Sequence, residues 1–206
     1  MIETPNISEE NETRASIYWW FATVFTKELD KQQLAAYTTG EGAQLLKQLA
    51  DTAELSPAVK LVNNSLAKCM ALQHPELELA ADFCQQFLSD SKVGAPPYAS
   101  IYLSSSKLMY QEPHEQMLAL LVAQGLRVDP EFNEPADHLA IQLDYLGNLI
   151  MREDDNPQQQ AEFIQQHLLS WLPQWLEVLS KVSKGGFYQG FAELLVAYLR
   201  LELQHL

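Results

Sequence analysis

Apolar residues recur every three or four positions along almost the whole chain and nowhere alternate for long. In "SIYWWFATVF", Ile17, Phe21, Val24 and Phe25 share one helical face. Trp19 and Trp20 widen that face, which predicts a helix buried on more than one side. "EGAQLLKQLADTAEL" and "SPAVKLVNNSLAKCMALQ" keep the period, the second opening with Ser56 as cap and Pro57 in the first turn. "PELELAADFCQQFL" sets Leu79, Phe83, Phe87 and Leu88 on one stripe. Near the end, Phe187, Phe191, Leu194, Leu195, Tyr198 and Leu201 line another. With this periodicity and few glycines, the pattern predicts an all-α, bundle-like fold.

Two stretches interrupt the helices. Residues 89–113, "SDSKVGAPPYASIYLSSSKLMYQEP", carry adjacent prolines that no helix interior accepts. They predict an exposed, tyrosine-rich loop with a short helix in its second half, followed by a helix that ends at Gly125. The second break divides the chain into a longer helical part, 1–126, a hinge, 127–137, and a shorter helical part, 138–206. Such a hinge would permit exchange of halves between protomers, so monomer, homodimer and domain-swapped dimer all stay open. In the last part, Asn156-Pro157 predicts a capped helix start, and Pro173 a kink or restart.

The charge narrows the partners. Thirteen Lys and Arg against 27 Asp and Glu give a net charge of −14, which repels a phosphate backbone and favours basic peptides. Nucleic acid is therefore not expected. The N-terminus has neither a basic nor an apolar leader region, and "MLALLVA" is too short to span a bilayer. A soluble, cytoplasmic chain without membrane insertion is expected. Cys69 and Cys84 fit neither a zinc spacing nor a disulfide framework and are expected as buried free thiols.

The densest chemistry lies in "EPADH", Glu134 to His138. Pro135 suits the first position of a helix, with Asn133 or Glu134 as its cap and Asp137 in its first turn, where negative charge is worth roughly 0.3–1 kcal/mol. That local pattern does not account for His138, because a charged histidine is disfavoured at a helix N-terminus. Glu134, Asp137 and His138 could instead form an acid/base or metal cluster of a small hydrolase. Against this, no HExxH and no GxSxG occur, and the five histidines are scattered. "KGGFYQG" lacks the lysine-hydroxyl ending and the preceding strand of a phosphate cradle, so Gly185 and Gly186 read as a helix break. Trp19, Trp20, Trp171 and Trp175 fit a core. Tyr98, Tyr102 and Tyr110 lie in a loop, where recognition is a natural role.

"EPADH" followed by "LAIQLDYLGNLI" resembles the E-P-x-D-H hallmark of the TorD/DmsD/NarJ family of molybdoenzyme chaperones. "RASIYWWFATVF", "DFCQQFLSDSKVGAPPYASIYL", "HLLSWLPQWLEVL" and "FYQGFAELLVAYL" resemble other family segments, in the family's order. The similarity spans nearly the whole chain and is greatest to the branch that serves trimethylamine N-oxide reductase. It implies an all-helical cytoplasmic chaperone, not an enzyme. The implied partners are an apo molybdoenzyme reductase and its twin-arginine leader peptide. Export would be delayed until the molybdenum cofactor is inserted. No cofactor of its own is implied beyond weak guanine-nucleotide binding, and no metal.

The resemblance also implies a peptide-binding set: Glu134, Pro135, Asp137, His138, Phe83, Phe87, Leu88 and Tyr98. Glu134 and Asp137 would meet guanidinium groups, and His138 would orient a carboxylate or tune binding with pH. One departure stands out. The family helix often reads aromatic-x-x-L-F, whereas here Phe83-Cys84-Gln85-Gln86-Phe87-Leu88 displaces the leucine and the aromatic.

Overall fold

The structure, a computed structural model, describes residues 8–128, 130–152 and 156–206. Among them the helices follow one another as α1 (Glu9–Thr26), α2 (Lys31–Thr39), α3 (Glu41–Ala50), α4 (Ser56–Met70), α5 (Pro75–Phe87) and α6 (Ala99–Leu103). Then come α7 (Glu112–Ala123), α8 (Leu139–Ile150), α9 (Pro157–Phe163), a π-helical segment (Ile164–Leu168), α10 (Leu172–Val182) and α11 (Phe187–Glu202). No strand forms among the described residues; an isolated antiparallel bridge joins Tyr98 to His138. The all-α expectation therefore holds.

The helices gather into two compact units. One takes the chain up to Phe25, Pro97–Trp171 and the terminal Leu206; the other takes Thr26–Pro96 and Leu172–His205. These units follow different lines from the division expected at 127–137. Segments on both sides of that stretch, 97–126 and 138–171, belong to the same unit. The reason is backbone pairing. The Leu139 N–H donates to the Pro97 carbonyl at 2.9 Å and the Ala99 N–H to the Asp137 carbonyl at 3.2 Å, which pairs the last residue of the expected hinge and the start of α8 with residues 97–99.

In the first unit α8 is the central helix. Ten of its residues are buried, which leaves Asp144 exposed and Asn148 half-buried. α1 contributes Ile17, Tyr18, Phe21, Val24 and Phe25 to this unit's core, with Trp19 and Trp20 half-buried. α1 and α8 pack closely at Gly147, where a Cβ would collide with the indole of Trp19. Trp171 is fully buried, and its Nε1–H reaches both Gln142 Oε1, at 3.1 Å, and the His167 carbonyl, at 2.9 Å.

In the second unit α4 lies against α11. A Cβ on Gly190 would stand 2.9 Å from the Val62 backbone nitrogen, so only glycine permits this approach. Tyr37 meets Phe187 and Phe191 edge-on at 5.9 and 5.4 Å. Asn156 and Pro173 act as expected. The Asn156 side chain accepts from the Gln159 N–H, and the chain restarts as α10 just before Pro173. Two expectations are corrected. Cys84 is exposed, not buried, with its thiol donating to Glu28 Oε1 at 3.2 Å. In the 89–113 stretch, residues 94–100 are buried rather than looped out.

Candidate functional site

The "EPADH" stretch is a turn, not the first turn of a helix. The His138 N–H closes on the Pro135 carbonyl at 2.9 Å, and α8 begins only at Leu139. Pro135 is therefore not the first helical residue, nor is Asp137 in the first turn. Long-range pairing with 97–99 overrides the local capping pattern: it holds His138 extended, at φ −63° and ψ 138°.

Asp137 is fully buried, and its Oδ2 accepts from the Ser100 N–H at 2.7 Å, which caps the start of α6. Its other oxygen, Oδ1, is buried without a donor. His138 is buried as well and caps α8: its Nδ1 accepts from the Ala140 N–H at 3.1 Å. That bond places the ring proton on Nε2 and fixes a neutral imidazole. Desolvation acts in the same direction and pulls the His138 pKa down to about 3. This resolves the conflict that the sequence posed, because a neutral histidine accepts where a charged one could not. It also means that His138 does not titrate near neutral pH. The aromatic rings of Tyr98 and Phe132 meet His138 edge-on at 5.0 and 5.3 Å.

Glu134 is the member of the motif that reaches solvent as a carboxylate. It is half-buried, and its Oε2 accepts from the Tyr98 hydroxyl at 2.7 Å. Burial, and then this carboxylate, hold the Tyr98 phenol well above its ordinary range. A tie that the sequence did not suggest comes from α7: His114 Nδ1 accepts from the Ala136 N–H at 2.9 Å. Ser100 and His114 lie 37 and 22 positions from their partners, beyond the reach of any local pattern.

The remaining expected site residues lie in the other unit. Phe83 and Phe87 are core residues, 5.1 Å apart and edge-on to Tyr188, and Phe87 also lies 6.1 Å from Trp175. Leu88, just past the helix, is 60% exposed. Trp175 is fully buried and donates to the Ala95 carbonyl at 2.8 Å, so the proline loop is anchored in this unit's core. The expected set thus sorts into exposed Leu88 and half-exposed Glu134 on one hand, and buried Pro135, Asp137, His138, Tyr98, Phe83 and Phe87 on the other.

The three groups of the hydrolase alternative, Glu134, Asp137 and His138, each have a structural bond. The His138 acceptor is spent on α8, and one oxygen of the half-buried Glu134 carboxylate is taken by Tyr98. Among the described residues, no group of three or more His, Cys, Asp or Glu is placed to hold a metal ion. The "KGG" turn borders a cavity of about 380 Å³ lined partly by Lys68, Glu78, Asp82 and Lys184. The Asp82 carboxylate lies against Gly185 and accepts from its backbone amide, which puts a carboxylate at this turn.

Comparison with known proteins fits this picture. Residues 52–177 match the nitrate reductase delta subunit family. A chaperone protein TorD from Vibrio parahaemolyticus is 41% identical over 95% of both chains. Chaperone proteins TorD from Vibrio vulnificus and Aliivibrio fischeri are 43% and 40% identical, again over 95% of both. A solved Archaeoglobus fulgidus structure, described as a redox enzyme maturation protein, covers 98% of both chains with a TM-score of 0.50. At 17% identity it speaks for the fold alone. The relatives are named as chaperones rather than as enzymes. The chain belongs to the nitrate reductase delta subunit family and, within it, to the TorD chaperones.

Proposed function

We propose that this molybdoenzyme-maturation chaperone binds the apo form of one reductase and its twin-arginine leader, holds the enzyme open to cofactor insertion, and delays export until insertion is complete. The reading places the protein in the cytoplasm and makes trimethylamine N-oxide reductase its client. The observation that carries it is the 41% identity to a chaperone protein TorD over 95% of both chains. Two features of the molecule support it. The net charge of −14 attracts a basic leader. In the hallmark motif Glu134 is held by Tyr98 at the edge of solvent, where a guanidinium can reach it, while Asp137 and His138 lock the turn from beneath.

Loss of the chain from a cell that makes trimethylamine N-oxide reductase tests this. The expected result is reductase that is degraded or exported without molybdenum, restored by the wild-type chain. Reductase with a full metal content in the absence of the chain would contradict the reading.

A further inference from the structure

The loop between α6 and α7 exposes apolar side chains while being firmly built. Leu108 and Tyr110 are 62% and 59% exposed, with Met109 between them also exposed. Lys107 and Tyr110 sit at φ 53° and 59°, the left-handed region, which costs a non-glycine residue roughly 1–2 kcal/mol. A hydrogen-bond net holds them there. Ser106 Oγ donates to Gln111 Oε1 at 3.2 Å, lies 3.0 Å from Ser104 Oγ and accepts from the Leu108 N–H at 3.4 Å. Gln111 Nε2 donates to the Met109 carbonyl at 2.9 Å, and the Gln111 N–H donates to Ser100 Oγ at 3.1 Å. Ser104 and Ser106 are thus the frame of a platform. Ser100 links that frame to Asp137.

The platform continues along α7. Tyr110 meets the His114 ring edge-on at 5.0 Å, and His114, Leu118 and Val122 follow at four-residue steps. Leu118 and Val122 are exposed, Val122 to 74%. The helical ridge from His114 to Val122 is about 12 Å long at 1.5 Å per residue. An ordered, strained, uncovered apolar strip of this kind marks a binding surface. Its charge is uneven. At the start of α7, Glu112 and Glu115 outnumber the exposed Lys107, whereas the exposed Arg127 lies past its end.

We infer that Leu108, Met109, Tyr110, Leu118 and Val122 form the docking ridge for the apolar stretch of the client's leader, with the leader's arginines directed toward Glu112, Glu115 and Glu134. The inference rests on the reading that the chain binds such a leader. A segment with paired cations at one end of an apolar run matches a ridge with carboxylates at one end. Asp137 is then a positioning residue, acting through Ser100 on the loop that carries the ridge.

Titration of a synthetic twin-arginine leader against wild type, Leu108→Ser/Met109→Ser and Leu118→Ser/Val122→Ser tests the ridge, with the exposed Leu77→Ser in the other unit as control. Both double variants should keep a cooperative melting transition, lowered more by L118S/V122S because Leu118 is only 37% exposed, and bind at least tenfold more weakly; L77S should bind as wild type. Benzophenone photocross-linking from position 118 should capture the leader's apolar run. Wild-type binding with less than a twofold loss in the double variants would overturn the ridge and leave the chaperone reading intact. Capture of a second copy, or of the reductase body alone, would do the same. A wild-type chain that binds no leader would overturn both.

Discussion

At the residue scale, the hallmark motif is divided between surface and interior. Glu134 reaches solvent, whereas Asp137 and His138 bond backbone amides of α6 and α8. Asp137→Ala removes the acceptor of a buried amide, so it should cost about 1–3 kcal/mol in urea unfolding. Asp137→Asn keeps an oxygen for Ser100 and should lose markedly less. His138 gives a signed pH dependence. Its folded pKa, about 3, lies below the ordinary 6.5, so between these values the unfolded chain binds more protons. Its contribution is therefore intact above pH 6.5 and is lost as the pH falls toward 3, by at most about 1.4 kcal/mol per pH unit. Burial shifts His167 in the same direction, so the wild-type slope has two sources. His138→Asn can still cap α8 and should flatten, without abolishing, the fall in stability measured by denaturation between pH 6.5 and 4. An unchanged slope would show that His138 is not the buried neutral group described.

At the element scale, close approach is the vulnerable feature. Gly190→Ala would press a methyl against the Val62 backbone and should cost about 1–3 kcal/mol, read as a shift in denaturation midpoint. Helix existence was legible in the sequence wherever apolar spacing was regular, as in α1, α5 and α11. Helix starts were legible where a short-range cap decided them: Asn156 did so for α9, and Pro173 marked the restart at α10. The start of α8 was not legible. "NEPAD" carries the local signal of a helix start, yet pairing with residues 97–99 holds it as a turn. The serine triplet reads as an ordinary loop, and only its bonds to Gln111 and Leu108 reveal a frame. The π-helical segment before Trp171 has no sequence signature of its own.

At the scale of the whole molecule, the division into units was not legible, because it follows contacts that the chain makes by returning. Residues up to Phe25 join 97–171, and residues 26–96 join 172–205. Net charge was legible and carries a consequence. A chain at −14 should draw a basic leader by long-range attraction that salt screens over about 10 Å at 0.1 M. Raising salt from 50 to 500 mM should weaken leader binding several-fold, mainly through a slower on-rate, as stopped-flow association would record. The central claim is recognition of a twin-arginine leader. Calorimetric titration of the intact chain with the leader of trimethylamine N-oxide reductase, beside a sibling reductase's leader and an arginine-to-glutamine form, tests it most directly. The account predicts saturable binding to the first, clearly weaker binding to the second, and loss of affinity in the third. Equal binding of all three, or binding of none, would contradict it.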